Sequence, residues 1–91
     1  MEYNLEQTGQ FKKDIKLAKK RGLNMKLLDK AVTTLVLNGK LPEVYKPHKL
    51  TGNYKDLWEC HIKPDWLLVW EQNEIIKLIT LTRTGTHSDL F

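Results

Sequence analysis

The sequence predicts an α+β fold of β-α-α-β-β-β order, in which a two-helix hairpin packs on a mainly antiparallel sheet. Three observations lead there. The first half carries apolar residues at helical spacing among many lysines, the second half carries three runs rich in aromatic and β-branched residues, and the joints between them are short. Ninety-one residues, 41% apolar and 29% charged, suffice for one globular domain over 1–91 and exclude a fibrous or wholly disordered chain.

Tyr3 to Gln7 reads as a short strand. Thr8 is placed to cap a helix reaching about Arg21, because Phe11, Ile15 and Ala18 recur on one face while Lys12, Lys13, Lys16, Lys19 and Lys20 lie off it; Gly22 ends it. Asn24 caps a second helix to about Leu37, with Leu28, Ala31, Val32, Leu35 and Val36 as its buried stripe, and Asn38-Gly39 closes it. So short a joint makes the pair an antiparallel hairpin. After a loop with Pro42 and Pro47, strands are expected at about 55–63, 66–73 and 75–83, joined as a meander. In the first, Trp58, Cys60 and Ile62 alternate with Leu57, Glu59, His61 and Lys63, so His61 falls opposite the larger apolar set. One sheet face then packs on the helices and the other is left available. The tail from Thr84 to Phe91 has little periodicity and is expected to wrap back over the sheet edge.

Charge is divided unevenly along the chain. Residues 1–55 carry a net +7 and residues 56–91 a net −3, so the basic end suits a polyanion such as nucleic acid, although lysine-rich helices also serve solubility alone. No apolar run approaches the roughly 20 residues of a membrane span, and no secretory signal opens the chain. The single Cys60 cannot form an internal disulfide and alternates with core positions, so it reads as a small buried residue in a reducing, cytosolic setting.

Three histidines fall in three segments: His48 after the Pro47 loop, His61 near a strand end, His87 in the tail. Brought together around a phosphodiester, imidazoles can supply a base for a 2′-hydroxyl and an acid for the leaving 5′-oxygen. Arg83 can neutralise charge building on the phosphorus-bound oxygens, Asp65 can hold an imidazole tautomer or take a proton itself, and Trp66 and Phe91 offer faces for stacking bases. Each has a plainer role as surface histidine, turn former, surface ion pair of Arg83 with Asp89 or Glu59, or core residue, with Trp58 and Trp70 the stronger core candidates. None of the spacings among His48, His61, Asp65 and His87 matches a recognised metal-ligand pair, so no metal and no cofactor is assigned.

The strings Lys46-Pro47-His48-Lys49-Leu50-Thr51-Gly52, His61-Ile62-Lys63-Pro64-Asp65-Trp66 and Arg83-Thr84-Gly85-Thr86-His87, with the terminal Leu90-Phe91, resemble the YafQ-type toxins of the RelE/ParE superfamily. Tyr3 with Gln10-Phe11-Lys12-Lys13-Asp14 resembles their opening, so the likeness spans nearly the whole chain. It implies a RelE-like small sandwich and a ribosome-dependent, metal-independent mRNA endonuclease of a bacterial type II toxin–antitoxin pair. Position by position it implies His48, His61, Asp65 and His87 as acid–base residues, Arg83 on phosphate and Phe91 as the terminal aromatic, with Trp66 after the acidic residue as in the family. It departs from the RelE branch proper, since no Tyr follows Tyr54. The implied partners are mRNA on the 70S ribosome, ribosomal RNA docked by Lys12, Lys13, Lys16, Lys19, Lys20 and Arg21, and an acidic DinJ-like antitoxin through which alone DNA is met.

Two other readings compete. A ParE-like toxin of the same fold that inhibits a protein target such as gyrase has no need of the histidine and carboxylate set. A helix-turn-helix DNA reader is poorly served by a second helix whose only basic residues are Lys26 and Lys30.

Overall fold

The computed structural model describes residues 2–54 and 56–91; Lys55, in the expected 55–63 run, lies outside them. The elements are β1 (Asn4–Gln7), α1 (Gly9–Lys20), α2 (Met25–Asn38), β2 (His48–Lys49), β3 (Leu57–Lys63), β4 (Trp66–Asn73), β5 (Leu78–Gly85) and α3 (His87–Leu90), with single 3-10 turns at Glu43–Tyr45 and Gly52–Tyr54. The five strands form one sheet in the order β1-β5-β4-β3-β2, antiparallel except that β1 runs parallel to β5. The expected α+β architecture is thus present.

Local chemistry sets the helix ends. The Thr8 hydroxyl accepts the Phe11 amide at 3.0 Å, and the Asn24 side chain accepts the Lys26 amide at 3.1 Å, each satisfying a donor the first helical turn leaves open. Gly39 closes α2 with φ +71°, and a Cβ there would stand 2.5 Å from the Tyr3 hydroxyl, so glycine is required both by conformation and by space. The Tyr3 amide donates to the Val36 carbonyl at 2.9 Å, which returns the end of α2 to the start of β1, as an antiparallel hairpin requires.

The core lies between this hairpin and the sheet: Phe11, Leu28, Leu35 and Leu41 meet Cys60, Trp66, Leu68, Trp70, Ile79 and Leu81. Trp58 stacks on Trp70 with ring centroids 6.0 Å apart. The opposite sheet face is less open than the alternation suggested, because Leu67, Val69 and Glu59 are also buried. Those three flank the functional side chains described below.

Three local expectations change. Strand β5 begins at Leu78, not near 75: the Asn73 carboxamide accepts the amides of Ile75 and Ile76, which fixes a turn and leaves Ile75 93% exposed. His48, expected in a loop, is half of a two-residue edge strand paired with β3. The tail becomes the short helix α3, closed by a capping box in which the Thr86 hydroxyl accepts the Asp89 amide and Asp89 accepts the Thr86 amide. It lies against β5 and the β3–β4 turn. Among the described residues no helix is long and apolar enough to cross a membrane.

Candidate active site

The sheet register assembles the site. His48 pairs with Glu59, Glu59 with Val69 and Val69 with Arg83, a row crossing four strands; beside it His61 pairs with Leu67 and Leu67 with Gly85. Side chains of paired residues share a face, so Glu59, His61 and Arg83 stand on the side away from the helices. Strands are about 4.8 Å apart and residues two along a strand about 6.7 Å, which separates His48 from His61 by about 8 Å at the backbone. Beyond Gly85 the chain turns into α3 and brings His87 back: the His61 and His87 rings stand 5.9 Å apart, tilted by 46°.

Each histidine has its Nδ1 against an oxygen that only accepts. His61 Nδ1 lies 3.2 Å from the Pro64 carbonyl, His48 Nδ1 lies 3.0 Å from the Lys46 carbonyl, and His87 Nδ1 lies 2.7 Å from Asp65 Oδ1. An N–H on Nδ1 leaves Nε2 as the nitrogen open to other partners in His61 and His87. Asp65 Oδ1 also accepts the His87 amide at 3.1 Å, and these bonds from His87 hold its carboxyl below the ordinary range. Asp65 therefore fixes the ring of His87. His48 Nε2 faces Glu59 Oε1 at 3.3 Å.

Arg83 reaches the end of the row already engaged. Its Nε and Nη2 donate to Asp14 of α1 at 2.8 and 3.1 Å, not to the Asp89 or Glu59 that the sequence suggested as surface partners. Asp89 instead takes Arg21 in two bonds of 2.6 and 3.1 Å, tying the end of α1 to α3 and so to His87. Arg21, expected to face ribosomal RNA, is committed to that contact. Phe91 meets Tyr54 edge to face at 5.3 Å, so the tail and the loop before β3 close on each other.

One expectation fails. Trp66 is 3% exposed and donates its indole N–H to the Thr84 hydroxyl at 3.0 Å; it packs the core and offers no face to a base. The lysines Lys12, Lys13, Lys16, Lys19 and Lys20 are exposed, and Lys12, Lys16 and Lys19 border a groove of about 660 Å³ between the helices, floored by Leu5, Phe11, Ile15, Leu28 and Leu81. Cys60 is fully buried and burial pushes its thiol up to about 12, which removes it as a nucleophile. Asp14 and Tyr54 were not singled out from sequence, and Glu59 only as a partner for Arg83. Asp14 did leave a signal, as a carboxylate on the same helical face as Phe11 and Ala18.

These features have counterparts among known proteins. A family model described as a bacterial toxin of a type II toxin–antitoxin system, YafQ, matches residues 3–91. The mRNA interferase toxin YafQ of Escherichia coli K12 is 43% identical over 89 residues, which is 97% of this chain and 95% of that protein. A chain in the crystal structure of the E. coli DinJ–YafQ toxin–antitoxin complex superposes with a TM-score of 0.90 at 41% identity, covering 100% of this chain and 99% of that one. A metal-bound toxin from Helicobacter pylori superposes with a TM-score of 0.89 at 42% identity, covering 98% and 99%. In the present chain the described residues gather no group of three His, Cys, Asp or Glu side chains able to hold a metal ion; His48 and His87 are engaged by separate carboxylates.

Proposed function

The chain belongs to the YafQ toxin family of bacterial type II toxin–antitoxin systems, and from that premise we propose that it cleaves mRNA in the ribosomal A site by metal-independent acid–base catalysis. The observation that carries this reading is the pairing of His61 and His87, whose rings stand 5.9 Å apart with each Nδ1 anchored on an oxygen. Two Nε2 atoms are thereby free to face opposite sides of one phosphodiester.

In the proposed sequence His61 Nε2 takes the proton of the 2′-hydroxyl, and the 2′-oxygen attacks the adjacent phosphorus. Arg83 offsets the charge that grows on the non-bridging oxygens. His87 Nε2–H protonates the departing 5′-oxygen, leaving a 2′,3′-cyclic phosphate and a free 5′-hydroxyl. Asp65 fixes the orientation and tautomer of His87, as a carboxylate behind a catalytic histidine does elsewhere. His48 with Glu59 supplies a second proton acceptor on the base side, and Phe91 against Tyr54 supplies the aromatic surface for a base.

Dependence on the ribosome fits the small size of the depression beside His61 among the described residues. Beside His61 there is a depression of about 270 Å³ lined by Val44, Lys46, His61, Ile62, Lys63 and Pro64, room for little more than one nucleotide, with two lysines whose charge suits phosphate. A message presented by the ribosome would bring only a short stretch to such a site. Lys12, Lys13, Lys16, Lys19 and Lys20 would dock on ribosomal RNA, and a DinJ-like acidic antitoxin would hold the toxin inactive, placing its action in the bacterial cytoplasm.

Primer extension on mRNA with purified 70S ribosomes tests the reading. Discrete new 5′ ends are expected, retained when a chelator selective for transition metals is added at constant magnesium, and His61→Ala or His87→Ala should reduce their rate about 10²–10⁴-fold with ribosome binding preserved. Absence of new ends with the unaltered protein would instead favour a ParE-like inhibitor, and loss of cleavage in the transition-metal chelator with ribosomes intact would overturn the metal-free mechanism.

A further inference from the structure

We infer that Asp14 is a positioning residue for Arg83, an inference that rests on the cleavage reading above. Asp14 stands one turn after Phe11 and one before Ala18 on the buried side of α1 and is 7% exposed, an expensive place for a carboxylate. Four donors converge on it: Arg83 Nε at 2.8 Å, Arg83 Nη2 at 3.1 Å, the Thr84 amide at 3.1 Å and Gln10 Nε2 at 3.2 Å. Burial alone would raise its carboxyl, but the bonds from Arg83, Thr84 and Gln10 outweigh that and hold it below the usual range.

Part of this arrangement is structural. Strand β1 stops at Leu81 of β5, and Asp14 caps the Thr84 amide on the edge left unpaired beyond it. A neutral acceptor would suffice for that. The two-point contact on Nε and Nη2 does something further: it fixes the plane of the guanidinium and occupies one edge of the fork. Among the described residues Nη1 donates to nothing, so that side remains for phosphate oxygens. Arg83 is 32% exposed and its register neighbour is Val69, in the row that leads to Glu59 and His48. Swinging Arg83 away to meet phosphate would strand the Asp14 charge in a buried place. The ion pair therefore persists through the reaction, with Arg83 acting from a fixed position and no search over rotamers at each turnover.

The test is a double-mutant cycle on single-turnover mRNA cleavage by the full-length toxin on ribosomes. Asp14→Asn keeps an oxygen for the Thr84 amide and loses the charge that orients Arg83. It should lower the cleavage rate about tenfold with little change in ribosome affinity, and in an Arg83→Gln background the same substitution should change the rate less than about twofold. Equal losses in both backgrounds would assign Asp14 a structural role only, and a faster enzyme would make it a latch; either overturns the inference. Should Asp14→Asn fold poorly, Arg83→Lys decides alone: it keeps the charge without the fork and should lose nearly as much as Arg83→Gln, whereas cleavage close to the unaltered rate refutes positioning through the fork. An unaltered protein that cleaves no mRNA sinks the cleavage reading, an outcome distinct from all of these.

Discussion

Replacing Gly85 with alanine tests whether the placement of His87 depends on the turn that precedes it. Gly85 has φ +157°, and an added Cβ would lie 2.9 Å from Asp89 Oδ2 and 3.0 Å from Asp89 Cβ. Ordinary contact needs about 3.5 Å, so something must give by about 0.5 Å. The Asp89 carboxylate cannot swing aside cheaply, because Arg21 holds it at 2.6 and 3.1 Å and the Thr86 amide at 2.9 Å. The start of α3 moves instead, and His87 with it. A misplacement near 1 Å at a catalytic group costs about 10²-fold, so a shift half as large should cost about tenfold in cleavage, with backbone strain and lost capping removing about 1–3 kcal/mol of stability. Single-turnover cleavage on ribosomes, thermal unfolding and the imidazole resonances of His61 and His87 read the three effects separately. Gly39→Ala is the control, since it clashes with Tyr3 in the α2 cap and should destabilise the fold without lowering cleavage per folded molecule. A Gly85→Ala protein that cleaves at the unaltered rate with unmoved His87 resonances would refute the reasoning.

Acid should unfold the chain in a window set by Asp14 and Asp89, both held below the ordinary carboxylate range, Asp89 chiefly by Arg21. Lowered values mean stability fully present above about pH 4 and lost as pH falls through the folded-state values, so the melting temperature should drop steeply below about pH 4, less so in Arg21→Gln; equal slopes would count against the ion pair. Trp70→Ala, at a ring 1% exposed and stacked on Trp58, should cost about 3–5 kcal/mol in urea unfolding, and a loss below about 1 kcal/mol would contradict its place in the core. Reversing Lys13, Lys16 and Lys20 to glutamate should weaken ribosome binding and flatten its dependence on log salt, the slope falling by about one for each phosphate no longer neutralised; unchanged affinity and slope would remove the docking face.

Sequence pattern made the secondary structure legible where local chemistry decides it. Thr8, Asn24 and Gly39 cap as their residue types predict, because a cap is settled within a few residues. The start of β5 was not legible: Ile75 and Ile76 look like strand residues, and only the side chain of Asn73 turning onto their amides reveals a loop. Trp66 fell on the wrong side for the same kind of reason, its indole having a partner, Thr84, eighteen positions away. At the site, the residue types of His61, Asp65 and His87 pointed to acid–base chemistry, but periodicity gave no means of pairing them. The register of β3 with β4 and of β4 with β5 does that, and register depends on the whole sheet.

That register also distinguishes the histidines chemically. His48 and His61 turn Nδ1 to neutral carbonyls of Lys46 and Pro64, whereas His87 turns it to the carboxylate of Asp65. A carbonyl fixes which nitrogen carries the proton and leaves the ring free to accept another on Nε2; a carboxylate in addition favours the ring that already carries both. In the proposed mechanism these backing groups suit His61 to the role of base and His87 to that of acid. Their surroundings sharpen the contrast, since His61 is half-buried beside Leu67 and His87 stands exposed at the start of α3. On that proposal the two backing groups come from Pro64 and Asp65, adjacent in the turn between β3 and β4: one supplies the carbonyl behind His61 and the other the carboxylate behind His87.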